Sequence, residues 1–199
     1  LKPPLIHKKY QSNEGTVKYL IELESGSMIE MVEIPEKNRR TLCVSSQAGC
    51  ALQCTFCATG AQGFEKDLTS DEIIGQLWLA NFHTKNKNLI TNVVFMGMGE
   101  PLLNFDAVVE SAKIMKHQLA YGLSRKRVTI STSGIVPQID KLADSVDVSL
   151  AISLHSADNS LRDEIVPINK KYPINSLMNS CKNYLLNYDN KRNITIEYI

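Results

Sequence analysis

The chain has 199 residues, 43% of them hydrophobic and 22% charged, with a formal net charge of +1. At about 100–200 residues per domain this is one catalytic domain, too apolar for a disordered chain and too neutral for a global basic field that would hold nucleic acid non-specifically. No apolar run approaches the roughly 18 residues of a membrane span and no signal peptide opens the chain, so a soluble, cytoplasmic, monomeric protein is expected.

Residues 1–10 carry two prolines and three lysines, lack an initiating Met, and read as a connection from something earlier. Thr16–Leu23 alternates apolar and polar residues, Glu24-Ser25-Gly26-Ser27 turns, and Met28–Ile34 continues extended, which predicts a β-hairpin. Beyond Pro35 short β-branched segments alternate with helical patterns. Strands are expected at Thr41–Ser46, Asn92–Met98, Arg127–Thr132, Asp147–Leu154 and Asn193–Ile199.

Between them, Thr69-Ser70-Asp71-Glu72 forms a capping box ahead of Ile73, Leu77 and Ala80 on one helical face. Asn104 can cap a second helix with Val108, Ala112, Met115 and Leu119 inward. Ser176 to Tyr188 supplies a third, with Leu177, Cys181, Tyr184 and Leu185 at helical spacing. The fold class is therefore α/β: a partial (β/α) barrel preceded by a β-hairpin, with its C-terminal part expected to be missing. Residues 1–36 form the connection and hairpin, and 37–199 the core. Its active site should lie at the C-terminal strand ends.

Five cysteines is an odd number, and Cys50, Cys54 and Cys57 crowd into one CxxxCxxC run between the first parallel strand and the first helix. Secreted disulfide frameworks are not built that way. A structural zinc site takes four ligands, whereas three thiolates suit a [4Fe–4S] cluster with one iron left open. A zinc knuckle with a remote fourth ligand stays open as an alternative.

Several other residues carry chemistry. Gly97 and Gly99 allow close backbone approach, and Glu100 is a carboxylate at a strand end, where an ammonium can be received. Ser131 ends one strand, and Ser153-Leu154-His155 sets polar groups at the end of another. Glu30 shares parity with Met28, Val32 and Ile34, and a carboxylate among apolar neighbours has a raised pKa, as a general base needs, although the residues alone favour a solvent-facing acid at a hairpin edge. Taken alone, Cys43 is a small core hydrophobe, and Cys181 on its amphipathic helix is core as well. The basic runs Lys37–Arg40, Ser124–Arg127 and Lys170–Lys171 can touch phosphates, although short runs of this kind are more often solvated loops.

Taken in order, TLCVSSQAGCALQCTFCATGAQGF, FMGMGEPLLN, TISTSGIVP, ISLHS, IVPINKKYPI and ITIEYI resemble the RlmN and Cfr group of RNA adenine methyltransferases, within the radical S-adenosylmethionine (SAM) superfamily. The resemblance implies that Cys50, Cys54 and Cys57 hold a [4Fe–4S] cluster whose open iron chelates SAM, which an electron then cleaves to a 5′-deoxyadenosyl radical. It assigns Gly99, Glu100, Ser131, Ser153, Leu154 and His155 to SAM and sets Phe56 near the adenine. It gives Glu30 the role of proton acceptor. It gives Cys43 the release of the protein–RNA adduct and a transient disulfide with a methyl-carrying cysteine, which lies in a CGQL-like segment absent here.

The implied substrates are 23S rRNA and tRNA, with an external electron donor such as flavodoxin. GEP at Gly99–Pro101 and the IVPINKKYPI run lean toward C2 rather than Cfr-type C8 methylation. A non-enzymatic metal-binding RNA module is the competing class.

Overall fold

The computed structural model describes residues 4–84, 88–188 and 193–199. In chain order its strands and helices are β1 (Leu5–Gln11), β2 (Val17–Glu22), β3 (Met28–Glu36), β4 (Arg39–Cys43), β5 (Gln47–Gly49), α1 (Ala58–Gln62), β6 (Phe64–Asp67), α2 (Ser70–Trp78), β7 (Asn92–Phe95), α3 (Phe105–Lys116), β8 (Val128–Thr132), α4 (Val136–Ser145), β9 (Ser149–Ser153), α5 (Asn159–Ile165), α6 (Ile174–Leu186) and β10 (Thr195–Glu197).

One eight-stranded sheet runs β1-β2-β3-β4-β7-β8-β9-β10, and β5 with β6 forms a separate ribbon. The pairings from β1 to β4 are antiparallel, and those from β4 to β10 are parallel. Parallel strands in chain order with helical crossovers between them wind as a (β/α) barrel left open. The expected hairpin is β2–β3, and it joins the same sheet: Val32 pairs with Cys43 and Val17 with Glu33. A single apolar cluster runs from Val17, Tyr19 and Ile21 through Val93, Phe95 and Ile130 to Leu177 and Tyr184.

The strand expectations hold, but most strands stop short at their C-terminal ends, where the chain turns into the site. The capping box forms as expected: the Glu72 amide donates to Thr69 Oγ1 at 3.3 Å and the Thr69 amide to Glu72 Oε2 at 2.9 Å.

Three expectations need correction. The segment read as a connection contains β1, every residue of which is exposed. Lys8 and Lys9 on an edge strand leave no apolar face to detect, and they protect the edge from further pairing. Residues 1–3 of that connection lie outside the described residues. Asn104 occupies the N-cap position of α3 without capping it. Its Nδ2 donates instead to the Ser46 and Leu68 carbonyls, 2.8 and 2.7 Å away. Leu119 is 93% exposed, because α3 ends at Lys116 before the helical period reaches it.

Candidate active site

The strand ends of the parallel half and the cysteine loop close around a cavity of about 180 Å³. Cys50, Cys54, Cys57, Phe56, Gly99, Glu100, Ser131, Ser153 and His155 all line it. Residues up to about a hundred positions apart in sequence therefore meet in one place. Leu154 is not among the lining residues: its N–H donates to the Glu197 carbonyl, and its carbonyl accepts from Arg162 Nε at 2.9 Å.

The cysteine loop is built by local hydrogen bonds. The Cys57 amide donates to the Cys54 carbonyl and the Cys50 amide to the Gly63 carbonyl. Gln53 takes a left-handed φ of 52° between Cys50 and Cys54. Burial pushes the Cys54 thiol up to about 11, helped by Cys50 and opposed by a hydrogen bond from the Ser133 side chain. Burial likewise raises Cys50, with backbone hydrogen bonds pulling the other way.

Gly97 and Gly99 do permit close approach, but to the neighbouring strand. A Cβ at Gly97 would meet the Val44 backbone at 2.7 Å, and one at Gly99, whose φ is +94°, would meet the Gln47 side chain at 2.5 Å. This packing brings Glu100 inside, where it is 3% exposed. Its Oε1 accepts from the Leu102 amide at 3.0 Å and its Oε2 from the Ser133 amide at 2.8 Å. Burial raises its carboxyl above the ordinary range, and those two amides restrain the rise.

His155 has a left-handed φ of 59° and stands edge-on to Phe56, with ring centroids 4.5 Å apart. Its Nδ1 is buried with no hydrogen-bond partner, and burial lowers its pKa. An unpartnered buried nitrogen in a cavity wall is a group waiting for a ligand.

Cys43 ends β4 beneath this cavity, although it is not among the lining residues. Burial pushes its thiol up to about 11, Met96 donates a backbone hydrogen bond, and the Glu197 charge adds to the rise. Met96 and Glu197 both line the cavity.

Glu30 takes the solvent-facing one of its two expected settings. The register places it on the same face as Val32, which pairs with Cys43, but its carboxylate is 41% exposed and bonded to Lys18 Nζ at 2.9 Å. The apolar enclosure is absent because the buried face of β3 carries Ile29, Met31 and Glu33 instead. Arg40, expected in a solvated basic run, is 7% exposed and pairs with Glu33. Cys181 is core, 7% exposed on α6.

Sequence reasoning missed two residues. Glu197 lines the cavity, and its Oε2 accepts from the Ser131 and Ser153 hydroxyls at 3.1 and 2.8 Å. Arg162, fully buried on α5, binds the strand ends from behind. The other buried contacts of α5 are few, so no apolar period announces that helix.

The family model for the radical SAM superfamily matches residues 44–195, from the residue after Cys43 into β10. The chain belongs to the radical SAM superfamily. Over its whole length it is 55% identical to the dual-specificity RNA methyltransferase RlmN of Pseudomonas putida (strain W619), covering 53% of that protein. Over 94% of its length it is 57% identical to the protein of the same name from Pseudomonas entomophila (strain L48), covering 51% of it. A crystal structure of a radical SAM methyltransferase from Sphaerobacter thermophilus superposes with a TM-score of 0.93 at 38% identity, over 100% of this chain and 58% of that one. The chain thus spans about half the length of the curated relatives it matches.

The radical SAM cofactors are a [4Fe–4S] cluster and SAM, and the residues present fit them. Three thiols on one loop open onto a single cavity, which is also lined by Glu100, Glu197, several hydroxyl-bearing residues and His155 with its unpartnered imidazole nitrogen. Among the described residues no three His, Cys, Asp or Glu side chains close around a single ion. A cluster binds each thiolate to a different iron and does not require that closure.

Proposed function

We propose that these residues form the catalytic core of a radical SAM RNA methyltransferase acting on C2 of an adenine in 23S rRNA, and also in tRNA. The observation that carries this is the shared cavity: the three cysteines and, of the strand-end groups assigned to SAM, all but Leu154 face one space. The identity to two proteins named as dual-specificity RNA methyltransferases supports the RNA substrate.

In this proposal Cys50, Cys54 and Cys57 hold the cluster, which when bound supplies the electron that cleaves SAM to a carbon-centred radical. Gly99 and Glu100 receive the methionine end of SAM, its ammonium beside the buried carboxylate. Ser131 and Ser153, oriented by Glu197, together with Leu154 and His155, hold the rest, and Phe56 shields the opening. Cys43 stays a protonated thiol at neutral pH, since burial holds it near 11, and it helps release the product: its sulfur bonds to the sulfur of the methyl-carrying cysteine as the carbon–sulfur bond of the adduct breaks, and that bond's electron pair and the thiol proton pass to the product carbon. Glu30 lies on the Cys43 side of the sheet and accepts the proton, once substrate displaces Lys18 from its carboxylate. Cys181 sits too deep in the core to carry a methyl group, so the methyl-bearing cysteine lies outside these 199 residues. The electron donor is a small external protein such as flavodoxin.

The test is anaerobic reconstitution with iron and sulfide, followed by reduction in the presence of SAM. A polypeptide of these 199 residues should release 5′-deoxyadenosine and leave ribosomal adenine unmethylated. The longer protein should methylate it, and mass spectrometry of the nucleosides should give 2-methyladenosine. Recovery of 8-methyladenosine would reassign the position, and one zinc without sulfide would remove the radical chemistry.

A further inference from the structure

Arg162 is fully buried, and every partner of its guanidinium is neutral. Its Nε donates to the Leu154 carbonyl at 2.9 Å, Nη1 to Asn169 Oδ1 at 2.8 Å, and Nη2 to the Ser133 and Ser153 carbonyls at 2.7 and 3.2 Å. Among the described residues no carboxylate pairs with it. The adjacent Asp163 turns its carboxylate to Asn169 Nδ2, 2.6 Å away, and acts on the guanidinium only through space, less than Cys54 does. A buried cation without a counter-charge is costly and is not retained for packing alone.

Two observations show what the charge faces. Three of its four acceptors are strand-end carbonyls that carry the SAM side of the cavity. The same short helix also holds the cysteine loop, because the Thr55 amide, one residue past Cys54, donates to the Ile165 carbonyl at 3.1 Å. Cys54 acts electrostatically on the guanidinium as well. Arg162 therefore stands where the cluster loop and the ends of β8 and β9 converge.

We propose that Arg162 is a positioning residue for both cofactors: its planar fork clamps the ends of β8 and β9, and its charge offsets the negative charge that a thiolate-bound cluster brings to Cys54. This rests on the cluster assignment above. The fork matters because guanidinium spreads its donors over several carbonyls at fixed angles, which an ammonium cannot do. The charge matters because nearby net charge is one of the terms that set an iron–sulfur potential.

The experiment compares wild type, Arg162→Met and Arg162→Lys after anaerobic reconstitution of the longer protein, measuring cluster potential by paramagnetic resonance and SAM affinity by equilibrium binding. Losing the charge in Arg162→Met should lower the potential, since an added electron is no longer stabilised. Arg162→Lys should keep a potential close to wild type and weaken SAM binding by roughly tenfold or more. A residue that merely props up the fold would change stability and leave the potential of the assembled cluster alone. If Arg162→Met assembles a cluster of unchanged potential, the charge assignment falls. If Arg162→Lys binds SAM as wild type does, the clamp falls, and that arm stands even where Arg162→Met does not fold. A wild-type protein that takes up no four-iron cluster would overturn the cluster assignment itself, and this proposal with it.

Discussion

Two buried arginines divide the molecule. Arg40, near the N-terminal end of β4, meets Glu33 through two hydrogen bonds of 2.8 Å, Nε to Oε1 and Nη2 to Oε2. Arg162, at the C-terminal ends of β8 and β9, meets only carbonyls and an amide. At the first end the protein neutralises its own buried charge, and the antiparallel strands close over it. Burial and Glu33 together push Tyr19 beside that pair up to about 12. At the second end no carboxylate bonds the charge, which under the proposal above is matched by the cluster. A buried charge with its own counter-ion marks structure, and one without marks a site.

The sharpest way to break this comparison is at the cysteines. Replacing Cys50, Cys54 or Cys57 by Ala should abolish the four-iron cluster, read as iron and sulfide per chain. Cys181→Ala, deep in the core, should leave both contents unchanged. A full cluster in any of the first three variants would show that its thiol is not a ligand, and in Cys54→Ala it would detach the cluster from the thiol that acts on Arg162.

At the other end, Glu33→Ala strands Arg40 in the interior and should cost about 3–5 kcal/mol of stability, measured by urea unfolding. A cost below about 1 kcal/mol would mean that Arg40 finds water, and the contrast between the two ends would fade.

A smaller effect appears at high pH. Burial pushes the Cys181 thiol up to about 11, above its unfolded value near 8.5. The unfolded chain therefore loses this proton first as pH rises. The stability tied to Cys181 is complete below about pH 8.5 and is lost as pH climbs toward 11, by about 2–3 kcal/mol. Urea unfolding between pH 8 and 11 should show a shallower alkaline decline in Cys181→Ala.

The finest probe is Glu100→Gln, which keeps the shape but removes the charge set against the SAM ammonium. A charge-assisted bond of about 1.5–3 kcal/mol corresponds to SAM affinity weaker by roughly ten- to a hundredfold. Unchanged affinity would leave Glu100 to its turn and to the Ser133 amide alone.

What was legible in the sequence shares one property: the groups involved lie close together along the chain. The capping box spans Thr69 to Glu72 and the CxxxCxxC loop spans Cys50 to Cys57, so each leaves its pattern in a short window. The hairpin shows where that stops. Alternation located β2 and β3 correctly, but both faces of β3 carry a glutamate among apolar residues. Parity within the strand cannot say which face meets the core. The fold buries Glu33 because Arg40 is there to meet it, and leaves Glu30 half exposed on the Cys43 side.

By itself the sequence determined the hairpin, the five parallel strands and three of the helices between them, the loop of three cysteines, and the strand ends where a site should lie. Hydrophobic periodicity and thiol spacing are enough for those. Only the tertiary structure decided how that site is completed. Glu197 reaches Ser131 across 66 positions and Ser153 across 44, and Arg162 reaches Ser133 across 29. Arg162 sits in no quoted motif and on no apolar period, and Glu197, although inside ITIEYI, has nothing beside it in sequence that shows its partners. Their roles follow from desolvation and from the directions of buried donors and acceptors, which exist only once distant strands have been brought together.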